Sequence, residues 1–247
     1  MNSFWLALRF LTRLPAPGNG VNDARQVGRS LVWYPLVSLL LGAILLGAAV
    51  LLKDMDPLLG AAILLALWVA LTGGLHLDGL ADTADAWVGG LGDRDRTLAI
   101  MKDPACGPVG VTALVLILLL KLAALAALLR GGGVLALLLI PALARSGVAL
   151  LFVSTPYVRP GGMGEALSKY ASRPLVIVGA LAVIALLLVV SGTKGGITLA
   201  VLLALWFWLR HRVMMRLGGF TGDIAGALLE LIECTSLLVI VLLEPYM

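Results

Sequence analysis

Charged side chains are scarce in this 247-residue chain, because Asp, Glu, Lys and Arg together make up only 13% of it. Hydrophobic residues make up 61%. A soluble globular domain is about one-quarter charged and about half apolar. The composition therefore argues against an ordinary soluble protein and indicates a polytopic membrane protein of the all-α class.

Cysteine and histidine are also rare, with two of each. Cys106 and Cys234 provide neither a disulfide framework nor the spacing of a structural zinc site. The formal net charge of +4 comes from loops between apolar runs, and no basic stripe is interleaved with aromatic residues. We therefore expect no nucleic-acid partner. No short apolar segment with a cleavage site follows Arg9 and Arg13, so we expect no removable signal peptide.

Long apolar runs, in contrast, are abundant. A helix needs about 20 apolar residues to cross roughly 30 Å of hydrocarbon. We predict about seven transmembrane helices in a single integral-membrane domain, residues 1–247, in contact with membrane lipid. The runs lie near residues 31–52, 58–77, 109–129, 133–153, 174–191, 197–209 and 224–243.

The distribution of basic residues predicts the orientation of these helices. With the N-terminus inside, the cytoplasmic segments hold thirteen Lys and Arg residues and the outer loops hold three, namely Lys53, Arg130 and Lys194. Positive residues concentrate on the cytoplasmic side of membrane proteins. We therefore predict an N-in, C-out topology, which places Asp78, Asp82, Asp85 and Asp223 at the cytoplasmic face. Residues 1–20 carry apolar residues at helical spacing beside Arg9 and Arg13, and they are interpreted as an interfacial segment.

Three aspartates follow the second apolar run directly. In a helix, Asp78, Asp82 and Asp85 would lie within roughly 40° of one face. Like charges at this spacing destabilise a bare helix, and a divalent cation would turn the repulsion into coordination. Helix capping explains Asp78 alone. We therefore predict a metal or phosphate site, with Mg²⁺ as the ion and Mn²⁺ as an alternative.

Four charged residues lie inside predicted spans, where they are costly and usually functional. Glu230 and Glu233 are in the last span, and Lys121 and Arg145 are their obvious partners. These residues could form buried ion pairs, Arg145 could instead bind an anionic substrate, and we expect Glu230 to orient a ligand or to pair with Arg145. Asp223 begins the last span at the same membrane face as the three aspartates, and we expect it to join their site.

Two further segments supply candidate residues. His76 precedes Asp78 by two residues, and Gly73-Gly74 makes a break in the helix plausible, so His76 is a candidate substrate contact. The glycine-rich loop 89–108 contains Lys102, which can pair with phosphate oxygens, and Asp103. A solvated connecting loop is the alternative interpretation of that segment.

The motifs resemble those of the cobalamin synthase family. The resemblance lies in Gly-Gly-Leu-His-Leu-Asp-Gly-Leu-Ala-Asp-Thr-Ala-Asp at 73–85, Ile-Met-Lys-Asp at 100–103 with Gly107 and Gly110 following, Gly-Asp-Ile-Ala-Gly-Ala-Leu-Leu-Glu at 222–230, and Arg-Phe-Leu-Thr-Arg-Leu-Pro at 9–15. It runs nearly from end to end of the chain.

The resemblance implies a Mg²⁺-dependent transferase of cobalamin biosynthesis that lies in the bacterial or archaeal inner (cytoplasmic) membrane. A ribose hydroxyl of α-ribazole, or of its 5′-phosphate, would attack the phosphorus attached to cobinamide in adenosylcobinamide-GDP, and GMP would leave. Asp78, Asp82, Asp85 and Asp223 would hold the metal, and Asp82 or Asp103 would accept the hydroxyl proton. A homo-oligomer is left open.

Two other classes of protein remain as alternatives. CDP-alcohol phosphotransferases also use an aspartate-rich helix at the membrane face, but this chain lacks the alanine-arginine pair of that family at the corresponding spacing. A metal-ion transporter would use intramembrane carboxylates as a conduction path. It would have acidic residues in both halves of the membrane, whereas the aspartates here are predicted at one face.

Overall fold

The computed structural model describes residues 2–17 and 23–244, with the side chain of Met163 not described. Within these ranges the regular structure is helical, apart from one isolated bridge between Tyr157 and Phe220. The α-helices are α1 Ser3–Leu11, α2 Ala24–Ser30, α3 Tyr34–Leu51, α4 Pro57–Thr72, α5 Leu75–Gly89, α6 Arg94–Ile100, α7 Pro108–Gly131, α8 Ala136–Ser154, α9 Met163–Tyr170, α10 Arg173–Leu217 and α11 Gly222–Leu243. The prediction of an all-α bundle is confirmed.

Several of the described helices are long and apolar enough to cross a membrane. There are five of them, or six if the bent pair of α4 and α5 is counted as one span. The 45-residue α10 counts once, although Gly192 breaks it with a φ of 51°. Arg173 and Arg210, near its two ends, line the same cavity, so the chain folds back near Gly192. The polytopic architecture is confirmed, whereas the count of seven and the N-in orientation stay predictions.

The second predicted span is interrupted, and the interruption positions the aspartates. It ends at Thr72, and α5 begins at Leu75 after a bend of 89°. Gly73 and Gly74 make this bend with φ values of 68° and 70°, a left-handed conformation that glycine adopts without a steric penalty. The predicted boundary at residue 77 is therefore wrong by five residues, and His76 belongs to the helix that carries the aspartates.

Helix α5 packs closely against α11 because small residues face the contact. A Cβ on Gly79 would lie 2.8 Å from the carbonyl oxygen of Asp223, and one on Gly226 would lie 3.2 Å from that of His76. Glycines permit such close approach of backbones in membrane bundles. Since residue 79 meets 223 and residue 76 meets 226, the two helices run antiparallel. The start of α11 therefore lies beside the aspartates.

The core lies around α8, whose side chains are mostly buried against α3, α10 and α11. Its Arg145 is fully buried. The N-terminal helix predicted within residues 1–20 forms as α1, and Ala7, Leu8 and Leu11 are buried in the same core. Packing against the protein thus covers part of its apolar face. Residues 1 and 18–20 of the predicted interfacial segment lie outside the described residues.

Candidate active site

The three aspartates of the central motif all lie on α5, as their spacing predicts. Asp78 is exposed, and Asp82 and Asp85 are partly buried on the next turns of the same helix. Asp82 lies beyond the predicted span, and burial together with the Asp78 and Asp223 carboxylates raises the pKa of its carboxyl to about 6. The sequence therefore places several carboxylates where they repel one another, as expected for a cation site.

Asp85 is held by the loop that leads into α7. Its carboxylate accepts hydrogen bonds from the backbone N–H of Gly107 at 2.7 Å and of Gly110 at 2.8 Å. A Cβ on Gly107 would lie 2.6 Å from Asp85 Oδ1, and one on Gly110 would overlap Oδ2. Glycine at both positions is thus required by close approach. The motif residues at 85, 107 and 110 form one structural unit.

Asp223 approaches the aspartate helix from α11, because the two helices pack together as the sequence predicts. A Cβ on Gly79, the residue after Asp78, would lie 2.8 Å from the Asp223 carbonyl oxygen. Asp223 Oδ2 accepts a hydrogen bond from the guanidinium of Arg159 at 2.9 Å. Arg159 comes from the segment between α8 and α9. Two parts of the chain that are distant in sequence therefore bring a carboxylate and a cation to the aspartate helix.

A cavity of about 410 Å³ opens beside this cluster. Asp78, Asp223 and Arg159 contribute to its wall, and so do the two predicted substrate contacts His76 and Arg145. Its remaining lining residues are mostly apolar, aromatic or glycine. A concave, largely apolar pocket with a few converging polar groups is typical of a small-molecule site.

The donor set fits a divalent cation that is shared with a substrate. Among residues 2–17 and 23–244, no three Asp, Glu, His or Cys side chains are close enough to form a preformed metal cluster. Both oxygens of Asp85 already accept backbone hydrogen bonds, and Asp223 is paired with Arg159. Mg²⁺ is usually bound by one or two carboxylates together with substrate phosphates and water. Asp78 and Asp82 suit that arrangement.

The ionisable residues inside the bundle pair with one another. Lys121 lies 2.5 Å from Glu230 and 2.7 Å from Glu233, and Arg145 also pairs with Glu233. All four side chains are at most 5% exposed. The expected ion pairing is confirmed, but the partner of Glu230 is Lys121 rather than Arg145. Glu230 does not line the cavity, so nothing in its surroundings favours the predicted substrate contact.

Lys102 and Asp103 lie apart from this cavity. Both are exposed in the turn after α6, and neither lines the cavity wall. Asp103 accepts a hydrogen bond from the N–H of Ala105, two residues on, at 2.9 Å. Their predicted roles in substrate binding and proton transfer stay predictions.

Three polar residues of the cavity wall were not recognised from the sequence as candidate site residues. Arg159 was interpreted only as a marker of orientation, and Tyr34 and Tyr157 were not singled out, although all three line the cavity. A signal was present for Arg159, because Tyr157-Val158-Arg159-Pro160-Gly161-Gly162 is a polar, glycine-containing segment directly after a span. Tyr34 begins an apolar helix, where nothing marks it as different from its neighbours.

Comparison with known proteins agrees with the motifs. An adenosylcobinamide-GDP ribazoletransferase of Ectopseudomonas mendocina (strain ymp) is 57% identical over 240 residues, which is 96% of this chain and 97% of that protein. Proteins of the same name from Pseudomonas paraeruginosa and Pseudomonas savastanoi pv. phaseolicola are 56% and 50% identical, each over 98% of this chain and at least 98% of their own length.

No solved structure matches the chain. The profile of the cobalamin-5-phosphate synthase family matches residues 3–241. The match spans all of the motifs described above, from the N-terminal segment to Glu230. The chain therefore belongs to the cobalamin-5-phosphate synthase family.

Proposed function

We propose that this protein is a membrane-bound adenosylcobinamide-GDP ribazoletransferase that joins cobinamide phosphate to α-ribazole or its 5′-phosphate and releases GMP. The observation that carries the proposal is that Asp78, Asp223 and Arg159 line one cavity, with Asp82 one turn from Asp78 on the same helix. The chain is also 57% identical to a protein of that name. Clustered carboxylates beside a cation are suited to a diphosphate substrate.

The reaction breaks the phosphoanhydride bond of adenosylcobinamide-GDP and forms a phosphodiester with the ribose hydroxyl. A ribose hydroxyl oxygen forms a bond to the phosphorus attached to cobinamide, and the bond from this phosphorus to the bridging oxygen of GMP breaks. The charge that develops at phosphorus and at the leaving phosphate is stabilised mainly by positioned cations. Arg159 can reorient from Asp223 to pair with phosphate oxygens.

Asp78 and Asp82 would hold Mg²⁺, with Mn²⁺ as an alternative, and Asp223 would add a third carboxylate when substrate arrives. The bound ion would neutralise charge on the diphosphate. Asp85 positions the loop at Gly107 and Gly110 beside the site. Asp82 is the first candidate acceptor of the hydroxyl proton, because it lies at the centre of the aspartate face. Asp103 is the second candidate.

We place the protein in the cytoplasmic membrane, and the distribution of Lys and Arg supports a site that faces the cytoplasm. GMP and α-ribazole are polar, so a site at that face would exchange them with the cytoplasm directly. The cobinamide substrate could be delivered from the same side. The apolar spans would then serve to hold the aspartate helix at the membrane surface.

The test is turnover by the purified full-length chain in liposomes. Adenosylcobinamide-GDP and α-ribazole are supplied with Mg²⁺, with Mn²⁺, or with a chelator, and GMP release is followed. We expect equal amounts of GMP and cobalamin product, with no release in the chelator. GMP release without α-ribazole would indicate a hydrolase, and no turnover with either ion would contradict the proposal.

A further inference from the structure

The inner wall of the cavity holds buried polar atoms that have no partner. Arg145, Tyr34 and His76 line the cavity and are 0%, 1% and 7% exposed. In the described part of the chain, Arg145 Nε and Nη2, Tyr34 Oη and His76 Nδ1 make no hydrogen bond. Buried polar atoms without partners are rare, and leaving several along one wall is costly. Such a set indicates that a ligand supplies the missing partners.

The charges around these atoms select the kind of ligand. Two cations, Lys121 and Arg145, face two carboxylates, Glu230 and Glu233, so the buried group carries no net charge. A phosphate at Arg145 would add uncompensated negative charge in a desolvated place. An uncharged group with acceptor atoms would instead satisfy the free N–H groups of Arg145 at no such cost. The pattern therefore favours a neutral, acceptor-bearing ligand.

The walls of the same region are aromatic. Phe10 stacks on Tyr34 with ring centroids 6.2 Å apart, and Phe152 stacks on Tyr157 at the same distance, each pair with an interplanar angle of 22°. All four rings line the cavity. Val148 and other apolar residues also line the cavity. Aromatic and apolar walls with a few hydrogen-bonding groups match a flat heterocyclic ring.

We propose that this inner pocket, defined by Tyr34, His76, Arg145 and Phe152, binds the uncharged heterocyclic base of a nucleoside substrate. Arg145 and Tyr34 donate hydrogen bonds to acceptor atoms of the ring. The sugar then extends along the cavity toward Asp78 and Asp223, which places the reacting phosphorus beside the carboxylates. This inference rests on the proposed function in one respect, namely that the nucleoside is a substrate.

Two bases share this chemistry. Guanine presents the O6 and N7 acceptors that an arginine can contact with two hydrogen bonds, and the benzimidazole of α-ribazole presents a ring nitrogen on a largely apolar plane. In the first case the pocket holds the leaving GMP, and in the second case it holds the acceptor. The experiment below has one arm for each base.

The test uses Tyr34→Phe, which removes the hydroxyl and keeps the ring. The matched control is Ser38→Ala, one turn further along α3, because the Ser38 hydroxyl is buried but already bonded to the Tyr34 carbonyl at 2.7 Å. Dissociation constants of GMP and of α-ribazole are measured by calorimetry on the purified full-length variants. Pyrophosphate with Mg²⁺ serves as a ligand that has no base.

We expect Tyr34→Phe to weaken the binding of either GMP or α-ribazole roughly fivefold, the effect of one lost hydrogen bond. The binding of pyrophosphate should stay unchanged. Ser38→Ala should change none of the three. The ligand whose binding is weakened identifies the base that occupies the pocket. Equal affinities of Tyr34→Phe and wild type for both nucleosides would overturn the proposal, and so would an equal loss of pyrophosphate binding.

The outcome is separable from the test of the proposed function. If wild-type protein turns over while Tyr34→Phe keeps the wild-type KM for both substrates, the pocket assignment fails and the function stands. If wild-type protein shows no turnover, the function fails, yet a selective loss of nucleoside affinity in Tyr34→Phe still supports the pocket.

Discussion

The Asp85 carboxylate accepts the backbone N–H of Gly110 at 2.8 Å, across 25 residues of sequence. This contact fastens the start of α7 to the aspartate helix, and it exists only because residue 110 has no side chain. A glycine that would look like a helix-breaking residue in α7 is therefore part of the candidate site.

We predict that Gly110→Ala strongly reduces transfer. The added methyl group would overlap Asp85 Oδ2 and lie 3.0 Å from the carbonyl oxygen of Ala81, so the Asp85 carboxylate must leave its position or α5 and α7 must move apart. The matched control is Gly47→Ala in α3, where a Cβ meets nothing within 4 Å. Turnover and thermal unfolding are measured for both variants. Wild-type turnover by Gly110→Ala would show that Asp85 need not be held by this loop.

The sequence predicted the aspartate face correctly because helical periodicity is a local property. It also predicted that Asp223 would join this face, since both segments emerge at one predicted membrane surface. It did not predict the pairing of Asp223 with Arg159, because that contact depends on how the segment between α8 and α9 folds over the cavity. The predicted partner of Glu230 was wrong for a similar reason. The rotation of each helix about its own axis decides whether Lys121 or Arg145 lies beside Glu230.

A second prediction concerns the centre of the aspartate face. Asp82→Ala should lower the rate of GMP release roughly 100-fold or more, as expected when a group that stabilises developing charge is removed. The protein should still insert and purify normally, because Asp82 makes no ion pair among the described residues. Asp95→Ala is the control, since the Asp95 side chain is 89% exposed in a surface pair with Arg94. Near-normal turnover of Asp82→Ala at limiting Mg²⁺ would exclude the residue from the site.

The buried ion pairs lead to a prediction about stability. Lys121→Met leaves Glu230 with no cationic partner within the described bundle, and breaking such a buried pair costs about 3–5 kcal/mol. Lys194→Met removes a half-exposed pair with Glu244 and should cost less than about 1 kcal/mol. Thermal unfolding in one detergent compares the two variants. Equal unfolding temperatures would mean that the buried group is not a structural element.

Asp223 and Glu230 lie on the same helix but should behave differently. Asp223→Asn should reduce turnover and shift the Mg²⁺ requirement, since its carboxylate lines the cavity beside the aspartates. Glu230→Gln should act mainly through stability, because Glu230 lies outside the cavity lining and contacts Lys121. Mg²⁺ titrations of turnover, set beside unfolding curves, separate the two effects. An unchanged Mg²⁺ requirement in Asp223→Asn would remove that residue from the proposed metal site.

The native cysteines offer a test of orientation that requires no introduced cysteine. Cys106 is exposed in the loop that holds Asp85, whereas Cys234 is buried in α11. A membrane-impermeant maleimide should therefore label Cys106 alone, and Cys106→Ser should abolish labelling. If the site faces the cytoplasm, inverted membrane vesicles should label rapidly and intact spheroplasts should not. Labelling of intact spheroplasts would reverse the predicted orientation, and it would place the aspartates on the side of the membrane away from the cytoplasmic nucleotide pool.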